Sequence, residues 1–305
     1  MIAYRLSLAI LGGLIAATTP APAALAQAAP AAAFASDRIG VTVEGQGPEV
    51  ILIPGLTSSP EIWDETARHL VASGKRVHRV HVSGFDGRPA GANASGLVSA
   101  PVADEIARYV REQGLQRPAV IGHSMGGTIG LMLAARHPQA VDRIMVVDML
   151  PFLGSVFGGP TATPESVAPI AEQTRARMAG ANDAGWVAAT RAQMDSTIAD
   201  PADREGPVRH AARSDRDVAG RAMAELITTD LRPELSRVRA PVTVLYVPLK
   251  NVPGMTDALL DQAYRGAYAN LSGARLKRIN DSGHFIMFDQ TEAFLTEVDA
   301  FLSAD

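Results

Sequence analysis

Short apolar runs alternate with amphipathic stretches along most of the 305-residue chain. The apolar runs are rich in β-branched residues and have the length of buried strands. They cover residues 50–53, 77–82, 119–121, 143–147, 242–247 and 275–279. Stretches with helical periodicity separate them, at residues 61–73, 102–113, 127–137, 257–269 and 291–302. This alternation predicts an α/β fold with a mostly parallel, doubly wound sheet, in which ligands bind at the carboxyl ends of the strands.

The alternation stops between residues 151 and 238, where no strand pattern occurs. Helical periodicity continues there, at residues 169–178, 183–198 and 216–226. A helical insertion of this length is typical of a lid that covers the mouth of an active site. The sequence therefore predicts a core made of residues 41–150 and 239–305, with an inserted helical lid at residues 151–238.

The beginning of the chain has a different pattern. Arg5 is followed by an apolar run over residues 6–17, and small residues then lead to Ala24-Leu25-Ala26. That order is typical of a secretory signal peptide. A membrane anchor is the alternative, but a spanning helix needs about 20 apolar residues, and threonines and prolines from position 18 onward interrupt this run. We therefore expect a signal peptide at residues 1–26, a flexible leader at residues 27–40, and a periplasmic or secreted protein without stable membrane insertion after cleavage.

Composition narrows the classes of function. The formal net charge is -4, and a protein that binds nucleic acid needs a clustered excess of Lys and Arg, so we expect no nucleic-acid partner. The chain has no cysteine, which excludes disulfides and thiolate metal sites. It also has neither an H-E-x-x-H sequence nor a G-x-G-x-x-G sequence after a strand. We therefore expect a small-molecule substrate and no metal or organic cofactor.

The strongest chemical signal is the sequence Gly122-His123-Ser124-Met125-Gly126-Gly127. It directly follows a strand pattern and directly precedes a helical one. In that context a G-x-S-x-G sequence forms a sharp turn that projects the serine hydroxyl above the sheet. The start of the helix also directs positive partial charge toward a developing oxyanion. Ser124 is therefore the predicted nucleophile.

A nucleophilic serine needs a base within hydrogen-bond reach, and histidine is the usual one. The chain has seven histidines. Only His284 follows a glycine in a loop between the last predicted strand and the last predicted helix, within Asp281-Ser282-Gly283-His284-Phe285. His284 is therefore the predicted base.

With these motifs the chain resembles the lidded α/β-hydrolase-fold enzymes, a superfamily of esterases, lipases and proline-iminopeptidase-like proteins. The resemblance covers residues 41–302 and rests on Pro54-Gly55-Leu56, on the sequence around Ser124 and on Gly283-His284-Phe285. It implies an oxyanion hole formed by the backbone N–H groups of Leu56 and Met125. It also implies hydrolysis of an ester, with an amide or lactone less favoured, through an acyl-Ser124 intermediate.

The sequence departs from this superfamily at the acid of the catalytic triad. Most members carry the acid after the strand that corresponds to residues 242–247, and here the loop over residues 248–256 has no carboxylate. Asp148 ends another predicted strand, where its carboxylate points toward the site, and some members carry their acid there. Asp148 is therefore the favoured candidate. Asp257 is the alternative, although it could instead cap a helix, and Asn251 is a third, uncharged candidate.

Two other functions remain open on the same motifs. A cofactor-free haloperoxidase-like enzyme or a carbon–carbon bond hydrolase would use the same side chains, and fold analogy does not separate them from an esterase. An inactive extracytoplasmic binding protein belongs to a different class, and only the missing acid at its usual position favours it. Labelling of Ser124 by a fluorophosphonate discriminates, because that reaction needs an activated hydroxyl.

Overall fold

The computed structural model describes residues 34–248, residue 254 and residues 256–303. The predicted signal peptide, the first half of the predicted leader and Asn251 lie outside the described residues. The end of the predicted leader is part of the fold, because Phe34 packs edge-on against Tyr109 with ring centroids 4.9 Å apart. A strand then begins at Ile39, which is buried. The leader prediction is therefore corrected at its end: the chain joins the core from Phe34, where apolar side chains gain from burial.

The sheet has seven strands in the described part of the chain, and their spatial order is β1-β3-β2-β4-β5-β6-β7. The strands are β1 (Ile39–Gly45), β2 (Glu49–Ile53), β3 (Arg76–Val82), β4 (Ala119–His123), β5 (Ile144–Val147), β6 (Val242–Tyr246) and β7 (Arg275–Arg278). Strand β1 is antiparallel to β3, and all other pairs are parallel. The predicted mostly parallel sheet is confirmed. Strand β1 was not predicted, because polar residues such as Thr42 and Glu44 interrupt its apolar pattern at an exposed edge.

Helices cover both faces of the sheet, because alternate residues of a strand face opposite sides. They are α1 (Asp64–Ala72), α2 (Ser99–Glu112), α3 (Met125–Arg136), α4 (Ser155–Gly158), α5 (Pro164–Ala179), α6 (Asp183–Thr197), α7 (Glu205–Ala212), α8 (Arg216–Thr228), α9 (Asp257–Ala267), α10 (Ile286–Asp289) and α11 (Thr291–Ser303). In β2, Ile51 lies in one buried cluster with residues of α2, α3 and α9. Its neighbour Leu52 lies in the other cluster with residues of α1 and α11. Within the described part of the chain, none of the helices has the length and apolarity needed to cross a bilayer.

The chain between β5 and β6 forms helices α4 to α8 and no strand, within the interval predicted as a lid. Buried Glu225 on α8 ties this helical insertion to the core. Its carboxylate accepts hydrogen bonds from the backbone N–H groups of Val98, Ser99 and Ala100 at 2.7, 2.7 and 2.8 Å. These groups lie at the start of α2, where backbone donors have no partner within the helix and where negative charge is favoured. Whether the insertion acts as a lid remains a prediction.

Candidate active site

Ser124 lies in a strained turn between β4 and α3. Its backbone has φ 54° and ψ −119°, a conformation that is costly for any residue with a side chain. The turn is fixed by a hydrogen bond from the Ser124 N–H to the carbonyl of Val147 on the neighbouring strand, at 2.9 Å. The motif glycines allow it: a Cβ on Gly122 would lie 2.1 Å from the carbonyl oxygen of Gly126, and one on Gly126 would lie 2.2 Å from that of Ile53. Both glycines are therefore required by close backbone contacts.

The structure brings His284 and Asp148 together from positions 136 residues apart in the chain. His284 Nδ1 and Asp148 Oδ2 are 2.6 Å apart, which is the distance of a strong, charge-assisted hydrogen bond. Asp148 follows β5, and His284 lies in the loop between β7 and α10. Because the carboxylate contacts Nδ1, the other ring nitrogen, Nε2, can act as the base. Of the two candidate carboxylates, Asp148 is the one that contacts His284, and the third candidate, Asn251, lies outside the described residues.

Asp257 lies elsewhere in the structure. It is exposed at the start of α9 and forms an ion pair with Arg278 at 3.1 Å. The cap of this helix is Thr256, whose hydroxyl accepts a hydrogen bond from the N–H of Leu259 at 3.3 Å. Asp257 thus contributes negative charge to the first helical turn, and the capping hydrogen bond is formed by Thr256.

His123 connects the serine turn to the His284 loop. Its Nε2–H donates to the backbone carbonyl of His284 at 3.0 Å, and the centroids of the two imidazole rings are 4.5 Å apart. Burial lowers the pKa of His123 well below its ordinary value, and the neighbouring His284 lowers it further. His123 is therefore a neutral donor. Among the described residues no hydrogen bond engages the Ser124 hydroxyl, and such bonds often form fully only once substrate is bound.

The predicted oxyanion-hole residues lie on the two sides of Ser124. A Cβ on Gly55 would lie 3.2 Å from the Ser124 Cβ, so the loop after β2 packs directly on the serine turn. Leu56 is the next residue of that loop, and Thr57 after it has a positive φ of 56°. Met125 is the first residue of α3, so its N–H belongs to the turn whose donors have no partner within the helix. The placement is compatible with two backbone donors that face one oxygen.

Sequence reasoning missed two residues that support the site. Asp289 accepts hydrogen bonds from the N–H of Gly283 at 2.6 Å and from the N–H of Ala199 in the helical insertion at 2.8 Å. The Tyr264 hydroxyl on α9 donates to Asp148 Oδ1 at 3.3 Å. Asp289 follows His284 by five residues, so a search for acids near the base would have found it. Nothing in the local sequence marks Tyr264, because its role depends on how α9 packs.

One group of side chains among the described residues has the spacing of a metal site. The ligand atoms of Glu61, Asp86 and His210 lie within 4.8 Å of one another. Each carboxylate already pairs with an arginine, Glu61 with Arg209 at 2.8 Å and Asp86 with Arg213 at 3.5 Å. A cation would have to compete with these two positive charges. We therefore interpret the group as a charge-balanced contact between the insertion and the core.

The chain matches the family model of the alpha/beta hydrolase fold over residues 48–291. It therefore belongs to this family, and it is an enzyme of the hydrolase class. The resemblance to the α/β-hydrolase superfamily and the predicted α/β fold are both confirmed.

Three relatives show how far the similarity extends. A putative carbamate hydrolase RutD of Yersinia enterocolitica is 36% identical over 107 residues, which span 35% of this chain and only 37% of that protein. The protein of the same name from Caulobacter sp. (strain K31) is 28% identical over 271 residues, 84% of this chain and 91% of the relative. A pimeloyl-[acyl-carrier protein] methyl ester esterase of Aliivibrio fischeri is 24% identical over 273 residues, 85% of this chain and 95% of the relative.

Solved structures agree on the fold. A hydrolase from Pseudomonas aeruginosa PA01 superposes with a TM-score of 0.72 at 20% identity, over 87% of this chain and 94% of that one. At this identity the similarity concerns the fold alone, and the substrate has to be argued from the site.

Proposed function

We propose that the chain is a serine hydrolase that cleaves carboxylic esters through an acyl-Ser124 intermediate. The observation that carries the proposal is the 2.6 Å contact between His284 Nδ1 and Asp148 Oδ2. The hydrogen bond from His123 to the carbonyl of His284 connects this pair to the strained strand-to-helix turn of Ser124. A strained backbone that close contacts maintain is typical of functional sites. An inactive scaffold would not need to preserve both features.

In this mechanism the Ser124 hydroxyl attacks the carbonyl carbon of the ester while His284 removes its proton. Asp148 accepts the Nδ1–H of His284 and stabilises the imidazolium that forms. The N–H groups of Leu56 and Met125 stabilise the negative oxygen of the tetrahedral intermediate. His284 then protonates the leaving alcohol, and it later activates the water that releases the acid.

The choice of an ester rests on the relatives and on the chemistry of the site. Carbamate hydrolase and methyl ester esterase are the names that two groups of relatives carry, and both reactions begin with attack on a carbonyl carbon. Hydrolysis of an ester needs the fewest catalytic groups, because an alcohol is a better leaving group than an amine. Carbamates are a second substrate class to test.

The experiment is a fluorophosphonate labelling assay combined with p-nitrophenyl esters of increasing acyl length and an aryl carbamate. The parent should be labelled at Ser124 and should hydrolyse at least one ester. Ser124→Ala should lose both activities while it keeps its melting temperature, because alanine fits the turn. Ser95→Ala is the control, since Ser95 is a serine outside the site and its loss should leave both readouts unchanged. An unlabelled parent, or a Ser124→Ala variant as active as the parent, would end the proposal.

We also propose that the protein is exported to the periplasm or beyond the cell. Support comes only from the order of charged, apolar and small residues in the first 26 positions. N-terminal mass spectrometry of the protein from its native host should find a chain that starts near Gln27. An intact Met1 in the cytosol would contradict export, and an intact Met1 in the membrane fraction would favour an anchor.

A further inference from the structure

Asp148 has to be held in place by surrounding contacts, both at its backbone and at its carboxylate. Asp148 has a positive φ of 53°, so its backbone is costly unless surrounding contacts maintain it. Its N–H donates to the carbonyl of Leu245 on β6 at 2.8 Å. One carboxylate oxygen, Oδ2, contacts His284. The other oxygen must be occupied as well, because a carboxylate that can rotate would align less well with the imidazole.

Among the described residues two donors occupy the second oxygen, and both come from the segment that follows β6. The N–H of Val247 donates to Asp148 Oδ1 at 3.2 Å, and the hydroxyl of Tyr264 donates to the same atom at 3.3 Å. Val247 begins the loop in which most members of the superfamily carry their acid, and Tyr264 lies on α9 after that loop. In this chain the segment thus supplies hydrogen-bond donors to Asp148, which follows the neighbouring strand β5.

The tyrosine itself is fixed by a stack of three rings. Tyr246 and Tyr264 have centroids 4.0 Å apart and an interplanar angle of 17°, and Tyr268 lies 6.5 Å beyond Tyr264 at 11°. The Tyr268 hydroxyl donates to the backbone carbonyl of Met149 at 2.7 Å, so α9 contacts Asp148 and the residue that caps α9 contacts Met149. Burial raises the pKa of Tyr264 well above its ordinary value, and the Asp148 charge raises it further. The hydroxyl therefore stays protonated and donates.

We propose that Tyr264 and Tyr268 are positioning residues that orient the Asp148 carboxylate toward His284. Tyr264 fixes the carboxylate through Oδ1, and Tyr268 fixes the backbone that follows it. The proposal rests on the proposed function, because it assigns a role to residues that act through Asp148.

The test is a double-mutant cycle read by the rate of fluorophosphonate labelling, which needs a single reaction and so remains measurable in slow variants. Tyr264→Phe keeps the ring in the stack and removes one oxygen. It should slow labelling about tenfold, the effect of losing a hydrogen bond to a charged group. In an Asp148→Asn background the same change should have little effect, because coupled residues are not additive. Tyr246→Phe is the matched control: its hydroxyl donates to Asp261 at 2.9 Å, and its loss should leave the labelling rate unchanged.

Tyr264→Phe would overturn the proposal if it labelled at the parent's rate, or if it slowed labelling equally in both backgrounds, since the second result describes a purely structural role. Thermal melts identify variants that do not fold. If Tyr264→Phe does not fold, Tyr268→Phe replaces it in the same cycle, and we expect it to slow labelling several-fold in the parent background alone. The proposed function fails in a different way, because the parent itself would then stay unlabelled at Ser124.

Discussion

The carbonyl oxygen of Thr197 occupies the space that a side chain on Gly283 would need: a Cβ on Gly283 would lie only 2.2 Å from it. Thr197 ends α6 in the helical insertion, and Gly283 directly precedes His284. Asp289 joins the same two segments through its bonds to the N–H groups of Gly283 and Ala199. The His284 loop therefore rests on the insertion at two adjacent points, and a shift of the end of α6 would move the loop.

Gly283→Ala should lower turnover at least tenfold. The added methyl group meets a backbone atom, which cannot move aside as a flexible side chain can, so the His284 loop and the end of α6 must separate. A displacement of about 1 Å in a reacting group is enough for such a loss. The measurement is kcat with a p-nitrophenyl ester, together with a thermal melt.

Gly266→Ala is the control for this prediction. No atom lies within 4 Å of a Cβ at Gly266, and the residue is inside α9, where alanine is favoured over glycine by about 0.5–1 kcal/mol. The control should keep parental turnover and melt at the same temperature or slightly higher. Parental turnover in Gly283→Ala as well would show that the contact does not constrain His284.

Asp289→Asn should lower turnover several-fold. The amide keeps one acceptor oxygen but places an NH₂ group against one of the two backbone donors, so one charge-assisted bond of about 1.5–3 kcal/mol is lost. Because that bond orients the His284 loop, we expect kcat to fall more than the melting temperature suggests. Glu292→Gln, an exposed acid three residues later, serves as the control. A lower melting temperature with unchanged turnover of the folded protein would assign Asp289 to stability alone.

Much of this site follows from the sequence because its parts are local. The turn around Ser124 needs only a strand, two glycines and a helix in succession, and the loop of His284 is marked by the glycine before it. The choice among acids depended on which strand end faces His284. Sequence reasoning favoured Asp148 because the carboxyl end of a strand points toward the site and because some members of the superfamily carry their acid there. The structure places the Asp148 carboxylate against the imidazole.

The long-range contacts that hold the site and the insertion in place could not be predicted in this way. Tyr264 reaches Asp148 across 116 residues, and Glu225 reaches the start of α2 across more than 120. Such contacts depend on how helices pack, which leaves no pattern in the residues themselves. Strand β1 was missed for another reason: at an exposed edge, burial does not demand a continuous apolar run.

Asp148→Asn should lower kcat about 10⁴-fold, because the amide cannot keep the base in the right tautomer or stabilise the imidazolium. Asp257→Asn is the matched variant. It breaks an exposed ion pair with Arg278, which is worth about 1 kcal/mol or less, so turnover should stay at the parental level. Both rates are measured on folded protein, with melts alongside. The reverse pattern would move the acid to Asp257, and two active variants would point to a dyad without a carboxylate.

Three histidines that are buried or half-buried make the stability of the protein depend on pH. Burial lowers the pKa of His78, His81 and His123 in the folded protein, whereas in the unfolded chain each titrates near 6.5. Between the folded and unfolded pKa values the unfolded chain binds more protons, so stability rises with pH in this window. The contribution of these histidines is fully present above about pH 6.5 and is lost as the pH falls toward the folded pKa.

We therefore expect the melting temperature to fall between pH 7.5 and pH 5.5, in a range above the titration of carboxylates such as Glu61, whose pKa is lowered by its hydrogen bond to His210. His123→Gln removes one neutral imidazole and keeps an amide N–H that can donate to the carbonyl of His284. Since a fully buried histidine contributes at most about 1.4 kcal/mol per pH unit, this variant should show a shallower decline than the parent. Melts at four pH values in that range measure both slopes. An equal slope in the two proteins would mean that His123 takes up a proton as readily in the folded state as in the unfolded one.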